Sequence, residues 1–425
     1  MSTGPAVVGT SAITPQLRTK EALYILHNKL NFVKKLTNFS DKFRGGGTGR
    51  SYLIGKPAQW TQRKGYAVAP NATIEDKVPL TIGDPIGIDS QYHDDELELD
   101  FPNYKQRILE GQMKKLATSI ESAVIASIIP QIAFGANSAS LAIGDMYRQN
   151  RILDEQLADG EKFALLGTQT YEDYLVAMQG NYNPQIDISS QIREGIVGDV
   201  AGFKVMKNLL IPAYTTGTRT AVSAGNVVTT TSTAAGGDVT LALTLNAVGD
   251  SVFVGEQFTL AGVFDVNPEN KSISTILHRF AVLPAAAAAQ TGWDVASGTY
   301  IADASKHIVV SVQPIYGPAA TGTRQNLSIN PTAGLVATFV GAANASVAQS
   351  LFFDPRHAAV AFVDLPLHTG AVIETWKETD PDTGITLRYE RGYNSESGVQ
   401  TVRWDVQMGQ ALVQNNFASR YIRTT

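Results

Sequence analysis

The sequence predicts an α+β fold that is interrupted by an inserted all-β domain, and three observations lead to this prediction. No lysine or arginine occurs from Ala221 to Asn270, a stretch rich in Thr, Ala, Val and Gly. A long amphipathic helical pattern precedes this stretch, and strand patterns of mixed charge follow it. Because the composition changes twice, we expect a host fold that is split into a part before about Arg219 and a part after about Ala345.

The composition of the 425 residues excludes several classes of function. Charged residues make up 17%, below the usual quarter, which indicates extensive burial in cores or against other copies. The net charge of −5 lacks the basic footprint that tight sequence reading of nucleic acid requires. The absence of cysteine excludes disulfides, thiolate zinc sites and thiol catalysis. With neither a signal-peptide pattern nor a membrane-spanning apolar run, we expect a soluble protein made in a cytoplasm.

The first predicted helix covers residues 19–39 and is amphipathic. Its apolar residues recur at steps of three and four and form a single stripe. The stripe consists of Leu23, Leu26, Leu30, Val33 and Leu36. A helix of this kind packs either on its own body or on a neighbour.

An extended, glycine-edged loop of two strands is predicted over residues 43–88. The glycines of residues 44–50 mark a flexible turn between short strand patterns. This turn invites comparison with a phosphate-binding loop, but Arg50 stands where that motif requires its second glycine. We therefore interpret the segment as a flexible loop that is more exposed than a core hairpin.

The clearest helix is predicted over residues 102–129. Pro102 suits a first helical turn, and Pro130 ends the pattern. Its apolar stripe consists of Leu109, Met113, Leu116, Ile120, Val124 and Ile128. Shorter helices are expected over residues 143–157 and 170–178.

The low-charge region predicts a β-sandwich or barrel of immunoglobulin type. Its β-rich runs are divided by Gly, Asn, Asp and Pro and cover residues 227–231, 239–245, 257–261, 274–282 and 307–312. After Ala345 we expect further strands, including a hairpin of residues 371–378 and 385–393 across a turn at 380–384.

Signatures of catalysis are missing from the sequence, which has neither G-x-S-x-G nor H-E-x-x-H. The densest group of metal-capable side chains, residues 93–96, is interpreted as a solvated acidic turn, because four adjacent residues do not normally converge on one ion. Asp380 and Asp382 could bind a cation together with Glu378, although acidic turns of this kind are common without one. We predict no enzyme activity, no cofactor and no metal site.

The order of these elements resembles the major capsid proteins of tailed phages, which have the Hong Kong 97-type fold. More narrowly, the chain is similar to short-tailed-phage coat proteins that carry an inserted immunoglobulin-like (telokin-like) domain. The matching stretches are residues 199–203 and 210–212 before the insertion, 255–263 within it, and 351–355 and 358–366 after it. The chain departs from that family at residues 233–237, which are short and uncharged where a charged bridging loop is expected.

The resemblance implies five segments. They are an N-terminal arm (1–42), an extended β loop (43–88), a spine helix with the first part of the peripheral and axial capsid body (89–218), an inserted immunoglobulin-like domain (219–345), and the second part of the body (346–425). The spine residues are Leu109, Met113, Leu116, Ile120 and Val124.

The resemblance also implies that the loop lies over an adjacent subunit. The residues expected at that contact are Tyr52, Leu53, Ile54, Lys56, Trp60, Arg63 and Lys64. The three basic residues among them are expected to meet acidic positions on the neighbour. The alternative is a hairpin that packs on its own domain.

As a function, the resemblance implies a major capsid protein that self-assembles, as pentamers and hexamers, into the icosahedral shell around the double-stranded DNA of a tailed bacteriophage. We expect assembly in the host cytoplasm, maturation from a procapsid, and a final location in the virion capsid. The expected partners are other copies, a separate scaffolding protein, a portal protein and DNA bound without sequence specificity, with a decoration protein as a further candidate and no membrane. The alternatives are another β-rich virion component, such as a tail or decoration protein, and an enzyme with paired carboxylates in a cleft.

Overall fold

A computed structural model gives the structure of residues 15–43, 49–57, 66, 75–93, 108–178, 199–219, 227–229, 237–285, 287–288, 290–318, 324–368, 372–394 and 398–424. Contacts group the chain into two units. The first unit consists of Met1–Tyr52, Pro79–Ala123 and Ala359–Gln410, and the second of Leu53–Val78, Val124–Ala358 and Ala411–Thr425. Each unit therefore combines segments that are distant in sequence. The division into five segments stays a prediction.

The described residues form four α-helices. They are α1 Pro15–Lys29, α2 Glu110–Ile128, α3 Ile143–Glu155 and α4 Thr168–Met178. The last three confirm the predicted helices, although residues 102–107 of the long helix lie outside the described residues. A 3₁₀ turn that contains Pro130 follows α2, as expected for a residue that lacks an amide hydrogen.

Most of the remaining described chain is β-structure. The strands before the insert are β1 Thr37–Asn38, β2 Ser51–Gly55, β3 Lys77–Thr81, β4 Ile86–His93, β5 Gly135–Ser138, β6 Lys162–Leu166, β7 Asp199–Val200, β8 Phe203–Lys207 and β9 Tyr214–Thr215. Those of the predicted insert are β10 Val227–Thr229, β11 Asp238–Thr244, β12 Ser251–Phe253, β13 Gln257–Val266, β14 Ile273–Ala281, β15 Trp293–Asp294, β16 Thr299–Ile301, β17 His307–Ile315 and β18 Leu335–Phe339. Those after it are β19 Ser346–Val347, β20 Gln349–Phe353, β21 Ala358–Val363, β22 Val372–Thr379, β23 Thr386–Asn394, β24 Val399–Leu412 and β25 Ala418–Arg423.

The arm helix α1 is shorter at its C-terminal end than the predicted span of residues 19–39. It ends at Lys29 because the carboxylate of Glu121 accepts the amide hydrogens of Asn31 and Phe32, which a continuing helix would donate to its own carbonyls. Glu121 belongs to α2, so a residue far away in sequence ends the arm helix. The predicted apolar stripe is nevertheless buried at every position, namely Leu23, Leu26, Leu30, Val33 and Leu36.

The first unit is built on a sheet of order β1-β21-β24-β23-β22, with β4 also paired to β24. Helix α1 packs on the hairpin of β22 and β23, where Arg18 Nη1 lies 3.4 Å from the hydroxyl of Tyr389. This hairpin was predicted from its turn at residues 380–384, and the structure confirms it. Gly384 has a φ of +70°, which an L-amino acid rarely adopts, and thereby permits the turn.

The second unit contains a sheet of order β5-β25-β20-β6-β8-β7 against which α3 and α4 pack. Its core comprises Leu141, Met146, Leu153, Ala164, Leu166, Tyr174, Phe203, Phe352 and Tyr421. The turn before β8 is a tight hairpin in which Ala201 and Gly202 have φ values of 53° and 82°, as in a type I′ turn.

The same unit contains the all-β region that was predicted over residues 219–345. Six strands form one sheet of order β14-β13-β18-β10-β11-β17, and we call them the insert barrel. The two ends of the sheet approach each other at one isolated bridge, where the amide of Leu283, two residues beyond β14, donates to the carbonyl of Ser311 at 2.8 Å. Its core includes Leu241, Leu243, Phe258, Leu260, Phe280, Tyr300, Ile308, Val310 and Phe339. The likeness to an immunoglobulin domain stays a prediction.

A buried histidine holds the turn between β20 and β21. His357 is fully buried, and its Nδ1 lies 2.8 Å from the carbonyl oxygen of Asp354. Its own carbonyl accepts the amides of Val413 and Gln414, which ties this turn to the chain that leads into β25. Burial lowers the pKa of His357 to about 4, so the ring is neutral at physiological pH.

We predict that His357 makes the protein sensitive to mild acid. The unfolded chain binds this proton near pH 6.5 and the folded chain only near pH 4, so stability is lost as the pH falls through that window, by roughly 3 kcal/mol. Urea unfolding of the purified chain and of His357→Gln at pH 7 and pH 4.5 measures this loss. The glutamine variant should lose clearly less stability than the wild type over this interval. Equal losses in the two proteins would show that His357 is not the group responsible.

Candidate functional site: the contact loop and the insert joint

The extended loop predicted over residues 43–88, which we call the contact loop, has a pair of strands, β2 and β3, at its base. Alternation along β2 places Tyr52 and Ile54 on one face and Leu53 on the other. The Tyr52 ring lies 6.3 Å from that of Phe39 and 6.2 Å from that of Phe43, and Ile54 is buried. Leu53 is 56% exposed. The chain itself therefore covers one face of this strand and leaves Leu53 in solvent.

The next predicted contact residue, Lys56, lies beside a charged pair of its own chain. Its amide donates to the carbonyl of Asp76 at 2.7 Å, and the Asp76 carboxylate lies 2.5 Å from Nη2 of Arg324. Burial lowers the pKa of the Lys56 amine, while Asp76 opposes this change. Contact of Lys56 with a neighbouring subunit stays a prediction, as it does for Trp60, Arg63 and Lys64, which lie outside the described residues.

The predicted spine residues are all buried. They are Leu109, Met113, Leu116, Ile120 and Val124. The polar face of α2 is also used, because Gln112 accepts a hydrogen bond from the indole of Trp404 at 3.1 Å and donates to Ser90 at 3.0 Å.

At the acidic turn between β22 and β23, Asp380 and Asp382 lie close to His27 of helix α1. The three side chains have the spacing of metal ligands. The Asp380 carboxylate already accepts from His27 Nδ1 and from the Thr383 hydroxyl at 2.5 Å each, and from the Asp382 amide at 3.1 Å. Burial raises the pKa of Asp380, but these hydrogen bonds outweigh it and the net pKa is lowered. The carboxylate thus stabilises the turn and docks the arm helix. Glu378, the third ligand weighed from the sequence, instead lies 3.9 Å from Lys20.

A second cluster, which sequence reasoning did not find, lies where the insert barrel meets the rest of its unit. Strands β9 and β19 pair in antiparallel fashion, so the chain enters and leaves the insert side by side. Around this pair lie six polar side chains that we call the insert joint: Tyr214, Arg219, Glu256, Gln257, Arg279 and Arg420.

The centre of the insert joint is an ion pair between Arg219 and Glu256, which are 1% and 0% exposed. The second guanidinium nitrogen of Arg219 donates to the carbonyls of Val340 and Gly341 at 3.2 Å each. The Glu256 carboxylate also accepts the amide of Gly217 at 2.7 Å. Burial raises the pKa of Glu256, and Arg219 opposes this change. The pair thus joins the entering chain, the start of β13 and the departing chain.

Tyr214 and Gln257 connect this ion pair to the host body. The Tyr214 hydroxyl accepts the amide of Gln257 at 3.0 Å, and burial raises its pKa to about 12. The Gln257 side chain donates to the carbonyls of Ile132 and Ala133 at 2.9 and 2.8 Å. Directional bonds of this kind fix the orientation of β13 against the chain that follows α2.

Arg420 completes the connection from β25. Its guanidinium donates to the carbonyl of Gly255 at 2.6 Å, and its Cζ lies 5.4 Å from the centre of the Tyr214 ring. Gly255 has a φ of +91°, and a Cβ on it would lie 3.0 Å from Cβ of Pro130, so the chain needs glycine here. Residues 255–263, noticed in the sequence as a family-like stretch, therefore begin in the insert joint and continue into the barrel core.

One signal in the sequence could have revealed the ion pair. Glu256 stands in a stretch with no lysine or arginine, so a basic partner had to come from outside it, and Arg219 lies just before that stretch. The host carbonyls that Gln257 bonds and the Gly255 carbonyl that Arg420 bonds lie more than a hundred residues from these side chains, and no local pattern predicts them.

Comparisons with known proteins agree with the predicted resemblance. The family model of the P22 coat protein (gene protein 5) matches residues 61–418, which include the whole insert joint apart from Arg420. Among solved structures, the chain is similar to that of Mycobacterium phage Che8, with 9% identity and a TM-score of 0.41 over 93% of this chain and 90% of that chain. It is also similar to the mature capsid of bacteriophage PhiM1, with 10% identity and a TM-score of 0.43 over 93% and 87%. Structural likenesses this weak establish nothing by themselves.

A search of curated proteins gives no significant match. Among the described residues, no helix combines the length and the apolarity that crossing a membrane requires.

We predict that removing one partner of the Arg219–Glu256 pair destabilises the fold mainly because the remaining buried charge is left without a counter-charge. Arg219→Met leaves a buried carboxylate unpaired and should lower the free energy of unfolding by about 3–5 kcal/mol. Adding Glu256→Gln removes that charge and should recover a large part of the loss. Urea unfolding of both single variants and of the double variant forms the double-mutant cycle.

The matched control is Arg324→Met, whose partner Asp76 is 45% exposed. Its loss should stay below about 1 kcal/mol. Strictly additive losses for Arg219→Met and Glu256→Gln would contradict the coupling on which this prediction rests.

Proposed function

Since this chain belongs to the P22 coat protein family and is a major capsid protein of a tailed phage, we propose that its copies build an icosahedral shell by contacts of the arm and the loop. The observation that carries the shell is the family match over residues 61–418. The arm and strand β2 lie before the matched residues, so their contacts are proposed from the exposure of Leu53. The Hong Kong 97-type fold inferred from the order of elements belongs with this family and with the α+β architecture of the two units. The protein therefore self-assembles into a shell and is located in the virion capsid.

A role of the contact loop in assembly is supported by strand β2, where one face is covered by the chain and the other exposes an apolar side chain. Tyr52 and Ile54 are covered within the chain, whereas Leu53 leaves an apolar side chain 56% exposed on the opposite face of the same strand. An exposed leucine gains free energy when a neighbour removes it from water. We infer that Leu53, and not the whole apolar set of this strand, forms the apolar centre of the contact.

The charge of the chain supports packaging of DNA without sequence reading. A net charge of −5 gives little electrostatic attraction to phosphates, so enclosure depends on the shell and not on binding. We further propose a separate scaffolding protein and a portal protein as partners, and a maturation step that thins and enlarges the shell.

We propose a structural role without enzyme activity. The family is one of coat proteins, and the three metal-capable side chains that come together in the described residues are explained by the turn that they stabilise. A tail or decoration protein, the alternative weighed from the sequence, gains no support from a coat-protein match that spans most of the chain.

Assembly itself provides the test. The chain co-expressed with the phage's scaffolding protein should give closed shells of uniform diameter in sedimentation and electron microscopy. Leu53→Glu places a charge at the proposed contact and should lower the shell yield by at least roughly tenfold, because desolvating an unpaired carboxylate is unfavourable.

The matched control is Leu209→Glu, since Leu209 is 75% exposed and lies outside the loop. This variant should assemble like the wild type, and urea unfolding of both variants should give unchanged stability. Wild-type yield from Leu53→Glu would overturn the proposed loop contact. A stable monomer from the wild-type chain under all conditions would overturn assembly by these surfaces altogether.

A further inference from the structure

A cleft of about 510 Å³ opens beside the insert joint, within the second unit. Helix α3 and strand β5 line one side, and strands β13, β14 and β18 of the insert barrel line the other. Its charged lining residues are Arg148, Arg151 and Arg279, and the lining contains no aspartate or glutamate. The cleft is therefore a concave surface of one charge sign between two parts of the same unit.

Arg279 is the key residue because neutral groups hold its guanidinium. Its Nη2 donates to the side-chain oxygen of Asn137 at 2.6 Å, and its Nη1 to that of Gln257 at 3.2 Å. Among the residues that the structure describes, no carboxylate lies within ion-pair distance of Arg279. Asp265, whose carboxylate raises the pKa of Arg279, lies 2.5 Å from His278. Burial lowers the pKa of Arg279 to about 10, so it remains charged at neutral pH.

The other two arginines differ, since Arg151 has a close ion-pair partner and Arg148 only a distant one. Nε of Arg151 lies 2.7 Å from the carboxylate of Glu155, and its Nη2 donates to the hydroxyl of Thr275 at 2.8 Å. Arg148 is 60% exposed in its side chain and lies 3.7 Å from Asp145. The positive charge of Arg148 also disfavours the charged form of Arg279, so the two like charges lie near enough to repel. A partly buried guanidinium that has no ion-pair partner and lies near a second cation is stabilised when an anion binds between the two.

We propose that this cleft is an oxyanion-binding site in which Arg279 and Arg148 hold a phosphate or carboxylate group. Guanidinium groups present planar, paired donors that suit two oxygens of either anion. Asn137 and Gln257 position Arg279. Because both the host body and the insert barrel contribute to the cleft, a bound anion links the two and stabilises their arrangement. This assignment goes beyond the capsid role and does not depend on shell contacts.

The site is tested on the unassembled, full-length chain with inorganic phosphate and with acetate as probes. Isothermal titration calorimetry at constant ionic strength should show one saturable site, and the melting temperature should rise with either probe. Arg148→Gln should weaken binding about tenfold, since one charge-assisted hydrogen bond is lost. The arginine is exposed at this position, so the variant should fold normally. Arg50→Gln, an exposed arginine 3.1 Å from Asp84 and outside the cleft, is the matched control and should bind like the wild type.

The source of the oxyanion follows from repeating the titration on assembled shells. Phosphate binding that persists in shells supports a free anion as the occupant. Loss of phosphate binding on assembly, with wild-type binding by the free chain, supports an acidic side chain of a second copy. No saturable binding to the free chain, or equal binding by wild type and Arg148→Gln, would overturn the site.

Discussion

The attachment of the insert barrel depends on one buried ion pair, Arg219 with Glu256. Its two charges are removed from water, so the pair is stable only while the surrounding carbonyls and amides hold both partners in place. Those groups come from the chain that enters the insert, from the strand that begins the barrel and from the chain that returns. The pair therefore requires all three segments at once. This requirement adds a directional constraint to the apolar contacts between barrel and host, where Ile276 packs against Phe134 and Ile152.

Polar joints and apolar cores contribute differently in this molecule. The barrel core and the core beneath α3 and α4 are apolar and supply most of the stability of each part. Apolar contacts are not directional, so they permit small rotations. The hydrogen bonds from Gln257 and Arg420 are directional and permit few. The insert joint therefore fixes the orientation of the insert barrel against the rest of its unit.

Features with a local cause were predictable from the sequence, and features with a distant cause were not. The stripe from Leu109 to Val124 and the hairpin turn at residues 380–384 follow from periodicity and turn chemistry, and both predictions are confirmed. The end of the arm helix at Lys29 depends on Glu121, which no local pattern connects to it. The same limit applies to the insert joint. Gln257 bonds the carbonyls of Ile132 and Ala133, and Arg420 bonds that of Gly255, so these roles depend on tertiary structure alone.

The pairing of β9 with β19 has a consequence for the order in which the chain folds. Strands β6 and β20 are neighbours in the body sheet but lie on opposite sides of the insert in sequence. If the barrel forms first, β9 and β19 become adjacent, and the effective loop between β6 and β20 falls from roughly 180 to roughly 50 residues, which lowers the entropy cost of closing it by about 1 kcal/mol. Folding of the barrel before the body sheet thus lowers the conformational entropy that the host strands lose when they pair. By holding β9 and β19 together, the folded insert would bring β6 and β20 close enough to pair in the body sheet.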